Sequence, residues 1–365
     1  MSHSTPALSE ANRLMTVCNS CRYCEGLCAV FPAMEMKRSF SDGDLNHLAN
    51  LCHSCGACFH DCQFSPPHEF AVNVPRTLAQ VRAESYAHYA WPKAAQPLFA
   101  RHGMALVIGC TLAFAAFVLG FVALNQSSAL FTAHLDEGRF YALMPHNVMV
   151  AVFGAAFLWM VIAVAMGARA FWRDAGKPDI ALRDHAGAAK DAARLTYLDG
   201  GGQGCFNEDD APTDRRRLWH HFTFYGFLLC FASTSTATLY HYLLGWEAPY
   251  PWWDVPALLG IAGGIGLIVG PVGLFHAKMT RQEEIRTPGF RGMEYGFIAI
   301  LFLTGATGLA LRILGDTPML GLILALHLGA VLTFFLSMPY GKFVHGLYRY
   351  LALSRYARDR RESDH

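Results

Sequence analysis

Eight of the chain's 11 cysteines fall within its first 62 residues. Cys18, Cys21, Cys24 and Cys28 read C-x2-C-x2-C-x3-C, and Cys52, Cys55, Cys58 and Cys62 repeat that spacing. Three closely spaced thiolates wrap three corners of an iron–sulfur cube, and the fourth cysteine of such a run ligates the other cube of a pair. The pattern therefore assigns Cys18, Cys21, Cys24 and Cys62 to one [4Fe-4S] cluster. Cys52, Cys55, Cys58 and Cys28 are assigned to a second. Structural zinc sites use paired C-x2-C units across a longer insert and need only four ligands, so two identical four-cysteine runs fit zinc poorly. Met1–Leu14 lacks the apolar stretch of an export signal, which argues against disulfides. Ala29 and Gln63 stand where a proline commonly follows the fourth cysteine, which leaves the ligand count intact.

A second set of candidate ligands is imidazole. No Asp, Glu, Lys or Arg lies deep in the apolar blocks of the chain, but histidines do. Polar groups at that depth are costly and often functional. His327 lies near the middle of the last block, and His345 follows 18 residues later. On one continuous helix that is about five full turns and a rise of about 27 Å, so both would project from one face. His220 and His221 open the third block and His241 closes it. Neutral imidazoles on facing helices are axial ligands of haem b. One or two haems are expected, with His241 pairing His327 and His345 pairing His220 or His221. His146 and His276 read as structural histidines.

These groups need a scaffold. The chain has 365 residues, of which 53% are hydrophobic and only 16% charged, and its mean hydropathy is +0.24. Net charge is +1, which excludes a basic nucleic-acid binder. Six apolar blocks, Met104–Leu124, Asn147–Ala168, Phe222–Leu244, Val255–Phe275, Tyr295–Leu311 and Thr317–Gly341, are each about long enough to cross a hydrocarbon core of roughly 30 Å. Lys and Arg concentrate in 172–217, 276–294 and the C-terminal tail, while the opposite connections hold only Arg139 and Arg312. The positive-inside rule then puts the head and both termini in the cytoplasm and the helices in the inner membrane. The predicted fold is all-α. Residues 1–103 form a helical ferredoxin-like head with its linker, 104–350 a six-helix membrane domain with a cytoplasmic loop at 172–217, and 351–365 a basic tail. Within the head, Ser41-Asp42-Gly43-Asp44 ahead of Leu45, Leu48 and Ala49 predicts a helix start.

Two glycine-rich stretches stand out. Gly260, Gly263, Gly264, Gly266, Gly270 and Gly273 permit close approach of a neighbouring helix or a porphyrin, and helix packing is preferred. Tyr197–Phe206 reads YLDGGGQGCF and precedes an acidic patch and Arg215-Arg216-Arg217. It is either a flexible loop or an element that docks on the head or a partner subunit. No phosphate-binding fingerprint supports a nucleotide there.

The twin-cluster head, the DGGGQGC run and the later RRRLWHHFTFYGFLLCFAST together resemble the tricarballylate/citrate utilization protein B family over nearly the whole chain. The membrane part of that family is similar to the haem-b subunit of respiratory nitrate reductase, and the spacing of His327 and His345 matches one of its two ligand helices. The other departs, because Phe231 occupies the position ten after His221. The resemblance implies a role. A separate FAD-dependent dehydrogenase would oxidise tricarballylate to cis-aconitate. The present chain would reoxidise that flavin through its clusters and haem b and deliver the electrons to membrane quinone. Two alternatives remain open at this point, a cluster-only membrane anchor that reduces quinone without haem and a redox-gated transporter or sensor.

Overall fold

A computed structural model describes residues 3–125, 131–133, 139–206, 211–286 and 291–363. The acidic patch at 207–210 lies outside the described residues. The described residues form α-helices and no strand, apart from one isolated bridge between Cys205 and Thr213. The all-α expectation holds.

Five helices build the head: α1 (Pro6–Cys21), α2 (Val30–Glu35), α3 (Asp42–Leu51), α4 (Ala57–His60) and α5 (Val74–Tyr89). Local chemistry starts each of the longer ones. The Thr5 hydroxyl accepts the Leu8 N–H, and Pro6 sits in the first turn of α1, where it costs no hydrogen bond. Ser41 and Asp44 form a reciprocal capping box at the predicted start of α3. Asn73 accepts the Arg76 N–H ahead of α5. One apolar face of α1 (Ala7, Leu8, Ala11, Leu14, Met15) is buried against the others, which carries Cys18 and Cys21 to the end of a fixed helix.

The next elements are α6 (Gln96–Asn125), α7 (Arg139–Leu143), α8 (His146–Asp174), α9 (Leu182–Arg194), α10 (Arg215–Leu239), α11 (Val255–Met279), α12 (Arg291–Leu314) and α13 (Leu320–Ser337). Six of them, α6, α8 and α10 to α13, are long and apolar enough to cross a membrane, in line with the six predicted blocks. The glycines of α11 serve helix packing. A β-carbon on Gly266 would stand 2.7 Å from the Phe222 carbonyl oxygen and 2.8 Å from the Gly226 α-carbon, so α10 and α11 touch backbone to backbone.

The C-terminal segment differs from a free tail. α14 (Val344–Ser363) is one helix, and Val344, Tyr348, Ala352, Leu353 and Tyr356 are buried in the same core as α1, α2, α3 and α5. Tyr348 is 1% exposed and stacks on Phe171 from the end of α8 at 5.2 Å, with Tyr89 edge-on at 5.8 Å. Arg355 of α14 pairs with Asp44 of α3 at 2.7 Å. Head, α8, α9 and α14 therefore share one hydrophobic centre. Of the basic residues of α14, Arg355 is thus itself buried against the head, while Arg361 pairs with Asp184 of α9 at 3.0 Å.

Gly266→Val is expected to push α10 and α11 apart. Backbone cannot yield, so the cost should be at least roughly 1–3 kcal/mol, read as a lower melting temperature in detergent. Gly120→Ala, where a new β-carbon meets nothing within 4 Å, should leave that temperature unchanged.

Candidate metal centres

The eight cysteines divide between two cavities. Cys18, Cys21, Cys24 and Cys62 line one, with Phe31 and Phe64. Cys28, Cys52, Cys55 and Cys58 line the other, with Phe31 and His53. The division follows the crossed pattern, in which each run lends its fourth cysteine to the other set. Among the described residues no three His, Cys, Asp or Glu groups converge as one metal ion requires. A single zinc gathers thiolates at about 2.3 Å. A cubane takes one thiolate at each of four corners and holds them further apart, which suits thiols set around a cavity wall.

The two sets differ in surroundings. Cys21 is exposed and Tyr23 beside it is 72% exposed, so the first set borders solvent. Cys52 and Cys55 are buried. Burial, then the neighbouring thiols Cys24, Cys62 and Cys21, push the Cys18 thiol up to about 12. Burial first, then Cys55 and Cys52, pushes Cys28 well above its ordinary value. Thiols so placed are protonated until a metal takes the proton's place.

The DGGGQGC loop docks on the second set. Gly200, Gly201, Gly202 and Gly204 all have positive φ, from 59° to 107°, which glycine adopts without strain. A β-carbon on Gly201 would meet Leu27, and one on Gly56 would meet the Phe206 carbonyl. The Phe206 N–H donates to the Cys55 carbonyl at 2.9 Å. Cys205 is fully buried, and its thiol donates to the Leu198 carbonyl at 3.1 Å, outside both cavities. Of the two readings left open by the sequence, docking on the head is the one observed.

Four arginines, one from the head and three from later elements, close over the Cys52–Ser54 backbone. The Cys52 carbonyl accepts from Arg82 of α5 and, at 2.6 Å, from Arg349 of α14. Arg216 of α10 donates to the His53 and Ser54 carbonyls at 3.0 and 2.9 Å. Arg281, just past α11, donates to the Ser54 carbonyl at 2.7 Å. Sequence reasoning counted three of these residues only as topology charges. Nothing in their spacing showed that they meet.

The candidate histidines fall into four environments. His220 and His345 come together, with ring centroids 5.8 Å apart and planes at 65°. The His345 Nδ1 contacts the Lys342 carbonyl, while the buried Nδ1 of His220 has no partner. His241 stacks on His146 at 4.0 Å and 26°, a face-to-face contact with no room between the rings. His327 bonds through Nδ1 to Thr307 at 3.0 Å, beside Gly308 of α12. His221 stacks on Tyr225 at 5.7 Å. The expectation that His327 and His345 share one helical face does not hold, because α13 ends at Ser337 and α14 begins at Val344. Pro339 and Gly341 fall in that gap, and Pro339 has no N–H to carry the helical hydrogen-bond ladder onward.

Residues 97–365 match the family described as Citrate utilization protein B. The chain belongs to this family. Residues 11–88 match the Citrate utilization protein B Fer4-like domain, which spans all eight clustered cysteines. A curated relative, Citrate utilization protein B of Escherichia coli, is 47% identical over 354 residues, covering 97% of this chain and 93% of its own. No solved structure matches the chain. The Fer4-like domain points to iron–sulfur chemistry, and the six apolar helices to a multi-pass membrane protein of the citrate utilization protein B family.

The crossed assignment expected from the sequence makes a direct prediction. Cys62→Ala should remove the cluster of the solvent-bordering set, and Cys28→Ala that of the buried set, each read as loss of one of two low-temperature EPR signals. Because thiol protons must leave, loading should release protons and weaken as pH falls, which a reconstitution series followed by iron content would register.

Proposed function

We propose that this chain is a membrane-embedded electron-transfer protein that reoxidises the FAD of a partner dehydrogenase and delivers the electrons to quinone. Cys18, Cys21, Cys24 and Cys62 would hold one [4Fe-4S] cluster, and Cys28, Cys52, Cys55 and Cys58 the second. His220 and His345 would hold one haem b. When bound, these groups supply one-electron transfer between a two-electron donor and a two-electron acceptor.

The observation that carries the reading is the contiguity of the three candidate centres. Phe31 lines both cysteine cavities. His53 lines the second, and its ring meets Arg349 of α14 at 2.5 Å. Burial, then Arg349, Arg216 and His220, hold the His53 imidazole well below its ordinary pKa, so it sits neutral between the cavity and the histidine pair. His220 and His345 bring two imidazoles to 5.8 Å between ring centroids, and the buried His220 Nδ1 has no partner, so these are the two rings that would hold a haem iron. The His241 Nδ1 is likewise unpartnered, but its ring lies face to face on His146 at 4.0 Å, and His327 bonds Thr307, so the reading prefers one haem to two.

Orientation follows from the same end of the bundle. Arg216, Arg281 and Arg349 sit where the head joins the helices. Positive charge marks the cytoplasmic side, so the head and both termini are proposed to lie in the cytoplasm and the bundle in the inner membrane. The Escherichia coli relative is named for citrate utilization, and the proposed partner is a flavin dehydrogenase acting on a tricarboxylate, tricarballylate first among them.

A dithionite-reduced minus air-oxidised visible spectrum of the detergent-purified chain tests the haem. A sharp b-type band is expected. His345→Ala and His220→Ala should abolish it, while His241→Ala should retain it. A wild-type spectrum without the band, after haem supply during expression is checked, would reduce the reading to a cluster-only quinone reductase.

A further inference from the structure

The buried end of α3 gathers more positive charge than its neighbours neutralise. Arg82, Arg216, Arg281 and Arg349 all donate to the backbone between Cys52 and Ser54, and none has a carboxylate at ion-pair distance among the described residues. Lys278 and Lys342, close by, share the single carboxylate of Glu294. Burial, then Arg216 and Arg82, pull Arg281 down to about 9, and thiolate charge at Cys52 acts the other way. The buried Arg281 Nε has no hydrogen-bond partner. Buried cations without counter-charge are expensive. The negative groups positioned to supply it are the thiolates of the second cysteine set.

The first set differs. It borders solvent, and Arg22, itself exposed, is the one charged residue lining its cavity among the described residues, with Asp61 next to Cys62 in sequence. Reduction adds one negative charge to a cluster. Burial alone makes that addition harder at the second site. Nearby fixed cations make it easier, and net charge and hydrogen bonding are what set cluster potentials. Guanidinium suits the task, since it keeps its charge when buried and donates in a fixed fork.

Resting on the twin-cluster reading above, we propose that Arg82, Arg216, Arg281 and Arg349 form a cation array that makes the Cys28/Cys52/Cys55/Cys58 site the more readily reduced of the two. Electrons then gather at the site that faces the membrane helices. The transfer moves one electron and breaks no bond, with the solvent-bordering site oxidised by one electron as the buried site is reduced by one. A reduced flavin replenishes the first, and a membrane quinone, taking two electrons and two protons in all, drains the second. The arginines are positioning residues, acting through charge and through the Cys52–Ser54 backbone.

The test is an EPR-monitored redox titration of the full-length chain in detergent, with iron assayed on each sample. Cys62→Ala identifies which signal belongs to which site. The wild-type buried site should titrate at the higher potential. Arg281→Gln, which keeps a donor for Ser54 but removes the charge, should shift its reduction equilibrium at least tenfold toward the oxidised form, about 59 mV for a one-electron couple. Arg281→Lys should keep most of the wild-type value, and the solvent-bordering signal should not move in either. The proposal is overturned if the buried site is the lower in potential, if the Gln and Lys variants shift alike, or if both signals move together. A shift confined to a haem band would also overturn it and assign the charge to the haem. Should Arg281→Gln lose iron from the buried site, Arg216→Gln takes its place, and loss in both would make the array structural only. Absence of iron from the wild-type chain would instead defeat the cluster reading itself.

Discussion

A helix leaves its last carbonyls without partners, and burying them without donors is costly. α3 ends at Leu51 in the interior, where the chain turns into the second cysteine run. The carbonyls of Asn50, Cys52, His53 and Ser54 are met by guanidiniums from α5, α10, the end of α11 and α14. Cations also suit the negative end of a helix dipole. One local requirement of the head is thus satisfied in part by Arg216 and Arg281, at the ends of membrane helices α10 and α11, and the two parts meet at the buried cysteine set.

Everything that depends on distance between the centres follows from that junction. α14 gives Tyr348 to the head core and Arg349 to the cysteine loop, while its first turn carries His345. α10 does the same with Arg216 and His220, four residues apart and so about one turn along the helix. The arginine and the histidine of each helix cannot move independently. The DGGGQGC loop seals the remaining side of the buried set through Phe206 and Cys55. The solvent-bordering set has no such cover, which leaves it open to a partner protein.

Much of this was legible in the sequence because it depends on short-range spacing. Cysteines at fixed intervals, six long apolar blocks and the Ser41 cap each read locally, and the glycines of α11 were read correctly as a packing stripe. The rest depends on contacts across more than a hundred residues. His327 and His345 looked like one helical face because period alone does not register the break at Pro339. The tail reads only as basic because its charges dominate its composition, while Tyr348, Ala352 and Leu353 are buried in the head core. Arg82, Arg216, Arg281 and Arg349 come from four separate elements, and no pattern in one segment announces their meeting. The positive φ values of Gly200 to Gly204 mark a shaped loop, but what it covers is a tertiary fact.

The central claim is that eight cysteines hold two cubane clusters in a head fixed to a membrane bundle. Iron and acid-labile sulfide, measured together with zinc on the anaerobically purified full-length chain, test it most directly. About eight iron and eight sulfide per chain, without stoichiometric zinc, are expected of two [4Fe-4S] clusters. Zinc bound in their place, with no labile sulfide, would contradict the claim.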